Sequence, residues 1–334
     1  MIAAVQFRNF KALRSASVRL GAFNLLVGPN GSGKTSLIEA LLRLRTLAGL
    51  PATHRAELAH ARAGGPEIVY GFEPPFDGVH LRAACARDEL VCDTLVVEHA
   101  PGAAGEEIWS RLRDRLRTIR GHLFNHYVMA APAPRDAGDG LAPDAGNLAA
   151  VLAARRRRDP AAWAVLEGEF RRLVPEFGGI ELREEGDRVA LFGRVDGEAV
   201  AAENFSQGTL YLLAILTLAH DPRPPAVVCL EEADRGIHPR MLREVRDALY
   251  RLSHPADFGL EREPVQVITT THSPYLLDLF RDAPEEVILA NKQGRAAHFE
   301  RLSDRADLRE LLGEASLGDL WFSGILGGTP EGAG

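Results

Sequence analysis

Residues 23–35 read FNLLVGPNGSGKT. An apolar run, typical of a buried strand, enters a glycine-rich turn, and apolar residues at helical spacing follow from Lys34 to Leu47. The turn fits the phosphate-binding loop pattern, with the required strand before it and helix after it. Its glycines let backbone N–H groups turn inward around a phosphate, and the helix N-terminus adds positive potential. The candidate ATP-binding residues are Gly28, Pro29, Asn30, Gly31, Ser32, Gly33, Lys34, Thr35 and Ser36.

Two side chains of this loop carry the expected phosphate chemistry. Lys34 is expected to reach the β- and γ-phosphates, and the Thr35 hydroxyl to bind Mg²⁺. Of the 39 basic residues only Lys11, Lys34 and Lys292 are lysine. A lysine in an arginine-biased chain is expected where a planar guanidinium has the wrong shape, as inside a phosphate loop.

The composition indicates a globular, non-secreted protein. Among the 334 residues 46% are hydrophobic and 25% charged, and the net charge of −7 argues against a surface that is basic everywhere. The apolar stretch Tyr211 to Ala219 is too short to cross a bilayer, and the N-terminus lacks a signal-peptide pattern. Cys85, Cys92 and Cys229 show neither metal-ligand nor disulfide spacing. We therefore expect a cytoplasmic location without membrane contact.

Hydrophobic periodicity predicts an α/β fold without a coiled-coil arm. Strands alternating with helices in the C-terminal third imply a mainly parallel sheet, and alternating segments over 65–99 imply an antiparallel β-layer. The predicted elements are strands at 2–10 and 17–27, a helix at 106–127, a loop at 131–146, helices within 147–173, a β-pair within 180–200, a helix at 206–220, a strand at 225–230, a helix at 239–252, a strand at 265–270, a helix at 274–281 and a strand at 286–290.

Three further motifs are each ambiguous alone. The predicted strand VVCL is followed by Glu231 and Glu232, whose side chains are expected to point to opposite faces. One carboxylate is then placed to bind magnesium and the other to contact the attacking water. The alternative is that the pair has no catalytic role, since acidic residues at strand ends are common. The segment NFSQGT (204–209) opens a helix, and its Ser206 is either a helix cap or part of an anion site. His272, after VITTT, is either structural or a sensor of the γ-phosphate.

The order of the four motifs resembles the ABC-ATPase class: phosphate loop, signature, acidic strand, switch histidine. The chain is most similar to soluble SMC- and RecF-like members, and in particular to bacterial AAA family ATPases of the AAA15/AAA_21 type, related to the ATPase part of OLD-family nucleases. The phrases that carry the resemblance are FRNFKAL (7–13), DAGNLAAVL (144–152), FSQGTLYLLAIL (205–216), EEADRGIHP (231–239), THSPYLLD (271–278) and SLGDLWFSGILGG (316–328).

The resemblance implies a role for each matching residue. Lys34 binds phosphate, Thr35 and Glu231 hold Mg²⁺, Glu232 is the general base and His272 the switch histidine. Ser206, Gln207 and Gly208 form the signature that closes the ATP site of a second protomer, and the loop from Asp234 through His238 to Pro239 crosses that dimer interface. Asn9 and Lys11 are further candidates for nucleotide contact. Departures are Glu231 where aspartate is usual, Gln207 where this family has aspartate, and Glu232-Ala233-Asp234 where it has Glu-Pro-Glu.

The resemblance also implies the organisation and the activity. We expect a single ABC-ATPase head made of an N-terminal lobe (1–105), an inserted helical and β region (106–200) and a C-terminal lobe (201–334). It is expected to bind ATP and Mg²⁺, to dimerise head to head on ATP, to hydrolyse ATP slowly with stimulation by a partner or DNA, and to control a separate effector such as a nuclease or toxin in anti-phage defence. The residues after Ile288 lack the Asp-x-Asp pair of a Toprim nuclease, so a nuclease is expected on another chain.

Two other functions remain open. One is a RecF-like DNA-binding clamp for repair or recombination, in which arginines between 111 and 120 and the run Arg155 to Arg158 contact phosphates. Acidic residues interleave with the first group, so a solvated helix face is the alternative interpretation. The other is a transporter subunit, which the FRNFKAL entry and the long insertion before the signature disfavour.

Overall fold

The computed structural model describes residues 1–50, 65–85, 92–138, 140–293 and 296–327. The strands are β1 (Ile2–Phe10), β2 (Leu13–Arg19), β3 (Phe23–Val27), β4 (Glu67–Phe72), β5 (His80–Cys85), β6 (Cys92–Glu98), β7 (Arg120–His122), β8 (Ala133–Pro134), β9 (Gly179–Glu185), β10 (Arg188–Val195), β11 (Glu198–Ala201), β12 (Val227–Leu230), β13 (Gln266–Thr271), β14 (Val287–Gln293) and β15 (Ala296–Arg301). The helices are α1 (Lys34–Ala48), α2 (Ala103–Arg117), α3 (His126–Ala130), α4 (Leu148–Arg158), α5 (Pro160–Leu173), α6 (Gln207–Ala219), α7 (Leu242–Ser253), α8 (Pro274–Asp278), α9 (Leu308–Glu314) and α10 (Leu317–Phe322).

The chain divides into two compact units, each built from separated segments. The first comprises Met1–Gly121, Pro225–Cys229 and Glu263–Gly334, and the second His122–Pro224 and Leu230–Arg262.

The first unit holds two sheets of different character. An antiparallel sheet runs in the order β2-β1-β4-β5-β6, and the main sheet in the order β15-β14-β3-β13-β12-β7. In the main sheet β3 pairs parallel with both β13 and β14, and β15 is antiparallel to β14. Strands β3 and β13 are buried along their whole length, as expected when both faces of a sheet are covered. The predicted parallel core and antiparallel layer are therefore confirmed, although residues 86–91 of that layer lie outside the described ones.

Buried side chains of both sheets, α1 and α2 form one hydrophobic cluster in this unit. Helix α1 contributes Leu37, Leu41 and Leu44, which recur at helical spacing on one face of the helix. None of the three is exposed to solvent. The buried Tyr70 on β4 donates a hydrogen bond from its hydroxyl to the Ala40 carbonyl at 2.9 Å. The helix that follows the phosphate loop is thus held by apolar contacts and by one buried hydrogen bond.

The second unit is organised around α6. Its residues Thr209 to Ala219 are all buried, so the helix has no solvent-exposed face over this range. Strand β10 pairs antiparallel with β8, β9 and β11. The hydroxyl of Tyr211 on α6 donates to the Phe124 carbonyl at 2.6 Å, which ties the segment before α3 to the central helix.

Several predicted boundaries were wrong. The single strand expected over 17–27 is two, because the Asn24 side chain bonds both the N–H and the carbonyl of Gly21 and bends the chain between β2 and β3. The helix expected over 106–127 ends at Arg117, and residues 120–122 instead join the main sheet as β7. The region 180–200, predicted as a pair of strands, contains the three strands β9, β10 and β11. The region 131–146, predicted as a loop, contains the short strand β8. Strand β15 and helices α9 and α10 were not predicted.

Among the described residues no helix is long and apolar enough to cross a membrane.

Candidate functional site

The phosphate loop follows β3 directly and leads into α1. Gly28 is buried where a side chain would overlap the Ala290 carbonyl of β14, so the loop passes this strand only with glycine. Gly33, immediately before α1, has a φ of +97°, a conformation that costs other residues free energy. At each end of the loop the backbone therefore adopts a path that favours glycine, by close packing at Gly28 and by a left-handed conformation at Gly33.

The loop shows two features that fit a bound phosphate. The Lys34 ammonium is buried and donates to the carbonyls of Gly28 and Pro29 at 2.6 and 3.0 Å, which places its charge over the loop. The Ser32 hydroxyl oxygen is buried and has no hydrogen-bond partner within the described part of the chain. A buried hydroxyl without a partner costs free energy that a phosphate oxygen can recover.

His272 lies at the same edge of the main sheet as the phosphate loop. Strands β3 and β13 are parallel neighbours, and Thr271 pairs with Val27, so the residues that follow each strand leave the sheet side by side. His272 is exposed, and Ser273 after it caps α8 by accepting the Leu276 N–H. The segments that carry the two candidate phosphate contacts of the first unit are therefore neighbours at one sheet edge.

The two candidate carboxylates follow β12, which neighbours β13 in the main sheet. The backbone N–H of Glu231 donates to the His122 carbonyl at 2.9 Å. Glu232 has a φ of +54°, which is unusual for a residue with a side chain, and its carboxylate lies 3.4 Å from the Arg235 guanidinium. A strained backbone at a candidate general base is typical of functional positions.

Replacing Glu232 by glycine tests this strain. Relief of the left-handed conformation, worth about 1–2 kcal/mol, exceeds the added entropy cost of glycine, so we expect Glu232→Gly to raise the free energy of unfolding by about 0.5–1 kcal/mol. The free energies of unfolding are measured by urea denaturation for Glu232→Gly and for the control Glu232→Gln. The control removes the same charge but keeps a side chain on the strained backbone. A glycine variant less stable than the glutamine variant would show that the conformation is not strained.

The signature residues stand at the N-terminus of α6. Ser206 is the helix cap, with its hydroxyl oxygen accepting the Thr209 N–H at 3.0 Å, and the serine is nevertheless exposed. Gly208 packs where a side chain would overlap the Gly236 carbonyl. The structure therefore shows the capping role of Ser206, and its role as an anion ligand stays a prediction.

The second unit brings the signature and the candidate interface loop together. A cavity of about 330 Å³ is lined by Ser206 and Gly208 of the signature and by Gly236 and His238 of that loop. His238 is exposed, and its Nδ1 accepts the Arg240 N–H at 3.2 Å. Asp234 accepts the Ile237 N–H through its carbonyl. Signature and interface loop thus form one concave surface.

Sequence reasoning missed Arg235 as a neighbour of the candidate base. The sequence spacing could have indicated this contact, because an arginine three residues after Glu232 can reach that carboxylate when the chain turns. Lys11, a candidate for nucleotide contact, forms an ion pair with Glu39 of α1. Asn9, near the end of β1, and Lys11, in the turn that follows it, both have left-handed backbone conformations.

The candidate magnesium ligands are oxygen donors, as Mg²⁺ prefers. They are the Thr35 hydroxyl, which is exposed, and the Glu231 carboxylate, which is half-buried. No group of three or more His, Cys, Asp or Glu side chains able to hold a metal occurs in the parts of the chain that the structure describes. A hydroxyl and a carboxylate are each donor types that suit Mg²⁺, which usually keeps several waters and binds few protein side chains together with substrate phosphates.

Comparison with known proteins places this site in a family. Residues 98–278, more than half of the chain, match the family model described as "AAA domain, putative AbiEii toxin, Type IV TA system", and residues 1–54 match the model described as "AAA ATPase domain". Two curated Vibrio cholerae proteins, each a "DNA replication and repair protein RecF", are 60% identical over 40 residues, 12% of this chain and 10% of each relative.

Solved structures show the same fold at low identity. A crystal structure of the SmcHead bound to the C-winged helix domain of ScpA matches with a TM-score of 0.60 and 16% identity, over 91% of this chain and 99% of that one. An Smc head domain with an extended coiled coil, bound to the C-terminal domain of ScpA derived from Pyrococcus furiosus, matches with a TM-score of 0.54 and 14% identity, over 94% and 99%. The resemblance found from the motifs is confirmed: the chain belongs to the AAA_21 family of AAA domains and has the ABC-type fold of SMC heads.

Proposed function

We propose that the protein binds and hydrolyses ATP, and that ATP joins two copies head to head. The observation that carries the nucleotide assignment is the adjacency of the phosphate loop and His272 at one sheet edge, with the Lys34 ammonium held over the loop. Membership of an ATPase family supports the same activity. The two units are proposed to form one head, as the sequence predicted.

Each candidate residue then has a defined task. Lys34 and the loop N–H groups bind the β- and γ-phosphates, and His272 bonds a γ-phosphate oxygen. Thr35 and Glu231 would hold Mg²⁺, which neutralises phosphate charge when bound. Glu232 accepts the proton of the attacking water. These tasks require only oxygen, ammonium and imidazole groups, all present in the chain.

The second unit supports the dimer. The exposed Ser206 and the N-terminus of α6 offer hydrogen-bond donors and positive potential to an anion outside their own protomer. A γ-phosphate bound in the loop of one copy supplies that anion to the other. Hydrolysis and phosphate loss remove the shared charge, so the heads separate and the protein acts as a switch.

We further propose that the switch controls a separate effector, a nuclease or toxin in anti-phage defence, in the cytoplasm. The family description names an AAA domain as a putative toxin of a type IV toxin–antitoxin system, which supports a role in a system of this kind. Turnover is expected to be slow and to rise with a partner or DNA, because hydrolysis in a switch ends the signalling state.

A RecF-like DNA clamp is the second candidate, favoured by the 40-residue match to RecF. Several of the arginines invoked for it make contacts within this chain. Arg113 donates to the Ala48 carbonyl at 2.8 Å, Arg115 pairs with Glu263 and Arg157 with Glu184. These contacts leave fewer guanidinium groups to track phosphates, and they favour the interpretation of these helices as structural.

Hydrolysis by a closed dimer has a kinetic signature. The rate per chain should rise with protein concentration until the dimer saturates, and Glu232→Gln should lower it at least a hundredfold, the range usual for loss of a general base. A phosphate-release assay over a concentration series makes the measurement. A rate per chain independent of concentration, or an active glutamine variant, would contradict the proposal.

A further inference from the structure

A second cavity, of about 450 Å³, lies at the opposite end of α6 from the signature. The end of α4, the start of α5 and residues 220–223 surround it. Its volume is in the range of pockets that hold small organic ligands. None of the residues that line it belongs to the candidate ATP site.

The floor of this cavity is a fixed ion pair. Arg155 Nη2 lies 3.1 Å from Asp221 Oδ2, and both side chains are only 13% exposed. Arg155 also donates to the Thr217 carbonyl, one of the last carbonyls of α6, and Asp221 Oδ1 accepts the Arg223 N–H at 2.9 Å. Within the described residues the buried Nε of Arg155 has no hydrogen-bond partner. The floor is therefore held by contacts to α6 and to the segment after it, and the Arg155 Nε is closed off from solvent.

The charge around the cavity favours an anion. Arg155, Arg158 and Arg223 line it against two carboxylates, Asp159 and Asp221. Asp159 Oδ1 accepts a hydrogen bond from the Ala162 N–H and so caps α5. Asp221 forms the ion pair with Arg155 in the floor of the cavity. The exposed side chains of Arg158 and Arg223 lie at the surface, where an entering ligand meets them first.

Further arginines behind the floor add to the positive potential. Arg262 donates to the Arg251 carbonyl at 2.6 Å. Burial lowers the pKa of Arg262, the nearby Arg251 charge lowers it further, and Asp221 opposes both effects. The Glu169 carboxylate lies 4.0 Å from Arg251 and bonds His220, so five arginines in and behind the cavity face three carboxylates.

One wall of the cavity is apolar. Ala162, Trp163 and Leu166 of α5 contribute to it, and Pro222 faces it from the segment after α6. Trp163 is buried apart from a small surface, so the indole is held in place by its packing. A ligand that matches both sides has an anionic head and a flat apolar body.

We propose that this cavity binds a small organic phosphate, of the size of a nucleoside monophosphate, with its phosphate at the arginines and its ring on the Trp163 wall. Guanidinium groups pair with phosphate oxygens in bidentate fashion, and the three arginines that line the cavity carry one more charge than its two carboxylates balance. Because Arg155 contacts the end of α6, an occupied cavity also holds the helix that begins at the signature.

Isothermal titration of 5′-CMP into the full-length protein tests the site. We expect saturable binding at least tenfold tighter than that of cytidine, which lacks the phosphate, or of inorganic phosphate, which lacks the ring. Absence of saturable binding at millimolar CMP, or equal binding of cytidine, would overturn the proposal.

Variants then locate the bound probe. Arg158→Ala and Arg223→Ala remove exposed groups, so the fold is retained, and each should weaken CMP binding about tenfold. Arg171→Ala removes an equally exposed arginine at the other end of α5 and should change nothing. Lys34→Ala should also leave CMP affinity unchanged. Binding lost in Lys34→Ala but kept in Arg158→Ala would place the probe in the phosphate loop and refute the site.

Discussion

The Ser206→Asp protein is expected to lose ATP-dependent dimerisation and at least a hundredfold of its ATPase rate, while it folds as stably as the parent. Aspartate is as good a helix cap as serine and favours the positive end of α6, so the hydrogen bond to the Thr209 N–H has a replacement. In the closed dimer the new carboxylate faces the partner's γ-phosphate. Like charges at about 4 Å near a protein surface repel by about 4 kcal/mol, enough to prevent closure.

The matched control is Ser206→Asn, which keeps the cap without the charge. Both variants should unfold at the temperature of the parent and bind ATP as monomers with unchanged affinity. Asparagine should retain most of the turnover. If aspartate dimerised and hydrolysed ATP like asparagine, Ser206 would be a helix cap only, as its contacts within one chain already allow.

Lys34→Ala should weaken ATP binding at least a hundredfold and abolish turnover. The lost ammonium makes charge-assisted hydrogen bonds to two phosphates in the proposed complex, each worth about 1.5–3 kcal/mol. Titration with a fluorescent ATP analogue in the presence of Mg²⁺ makes the measurement.

Lys34→Arg is the control for charge alone. The guanidinium keeps the charge but is planar, and the buried space over Gly28 and Pro29 is shaped to an ammonium. We therefore expect arginine to recover little of the affinity. Tight ATP binding by the alanine variant would mean that the loop does not hold the phosphates.

The sequence predicted secondary structure best where the residues that set the local backbone conformation also pack in the folded protein. The end of the strand, the glycine turn and α1 were predicted to within a residue, because Gly28 and Gly33 meet backbone requirements that no other residue meets. The apolar run after Ser206 predicted α6 equally well. The strand before His272 was also predicted to within a residue, and its parallel pairing with β3 brings His272 to the sheet edge where the phosphate loop begins.

The errors arose where distant contacts decide the structure. Periodicity continues past Arg117, but the Thr118 hydroxyl donates to the Arg115 carbonyl and accepts the Ala226 N–H, which ends α2 and directs the chain into the main sheet. The run Arg155 to Arg158 reads as a basic helix end, yet Arg155 is buried against Asp221, 66 positions away in the chain. Neither partner can be recognised from one sequence.

The strained conformation of Glu232 was also invisible in the sequence. A glutamate in a left-handed conformation follows from the way the turn after β12 is held, including the bond from the Glu231 N–H to the His122 carbonyl. Sequence patterns identify the residue types of a site, and the backbone geometry that aims them depends on the whole fold.

The most direct test of the account is the mass of the Glu232→Gln protein, measured by size-exclusion chromatography with light scattering with and without Mg·ATP. This variant should bind ATP and hydrolyse it too slowly to leave the closed state. The account predicts a monomer without nucleotide and a dimer with Mg·ATP, which the added Ser206→Asp change returns to a monomer. A protein that binds ATP but keeps the same mass would contradict the head-to-head switch.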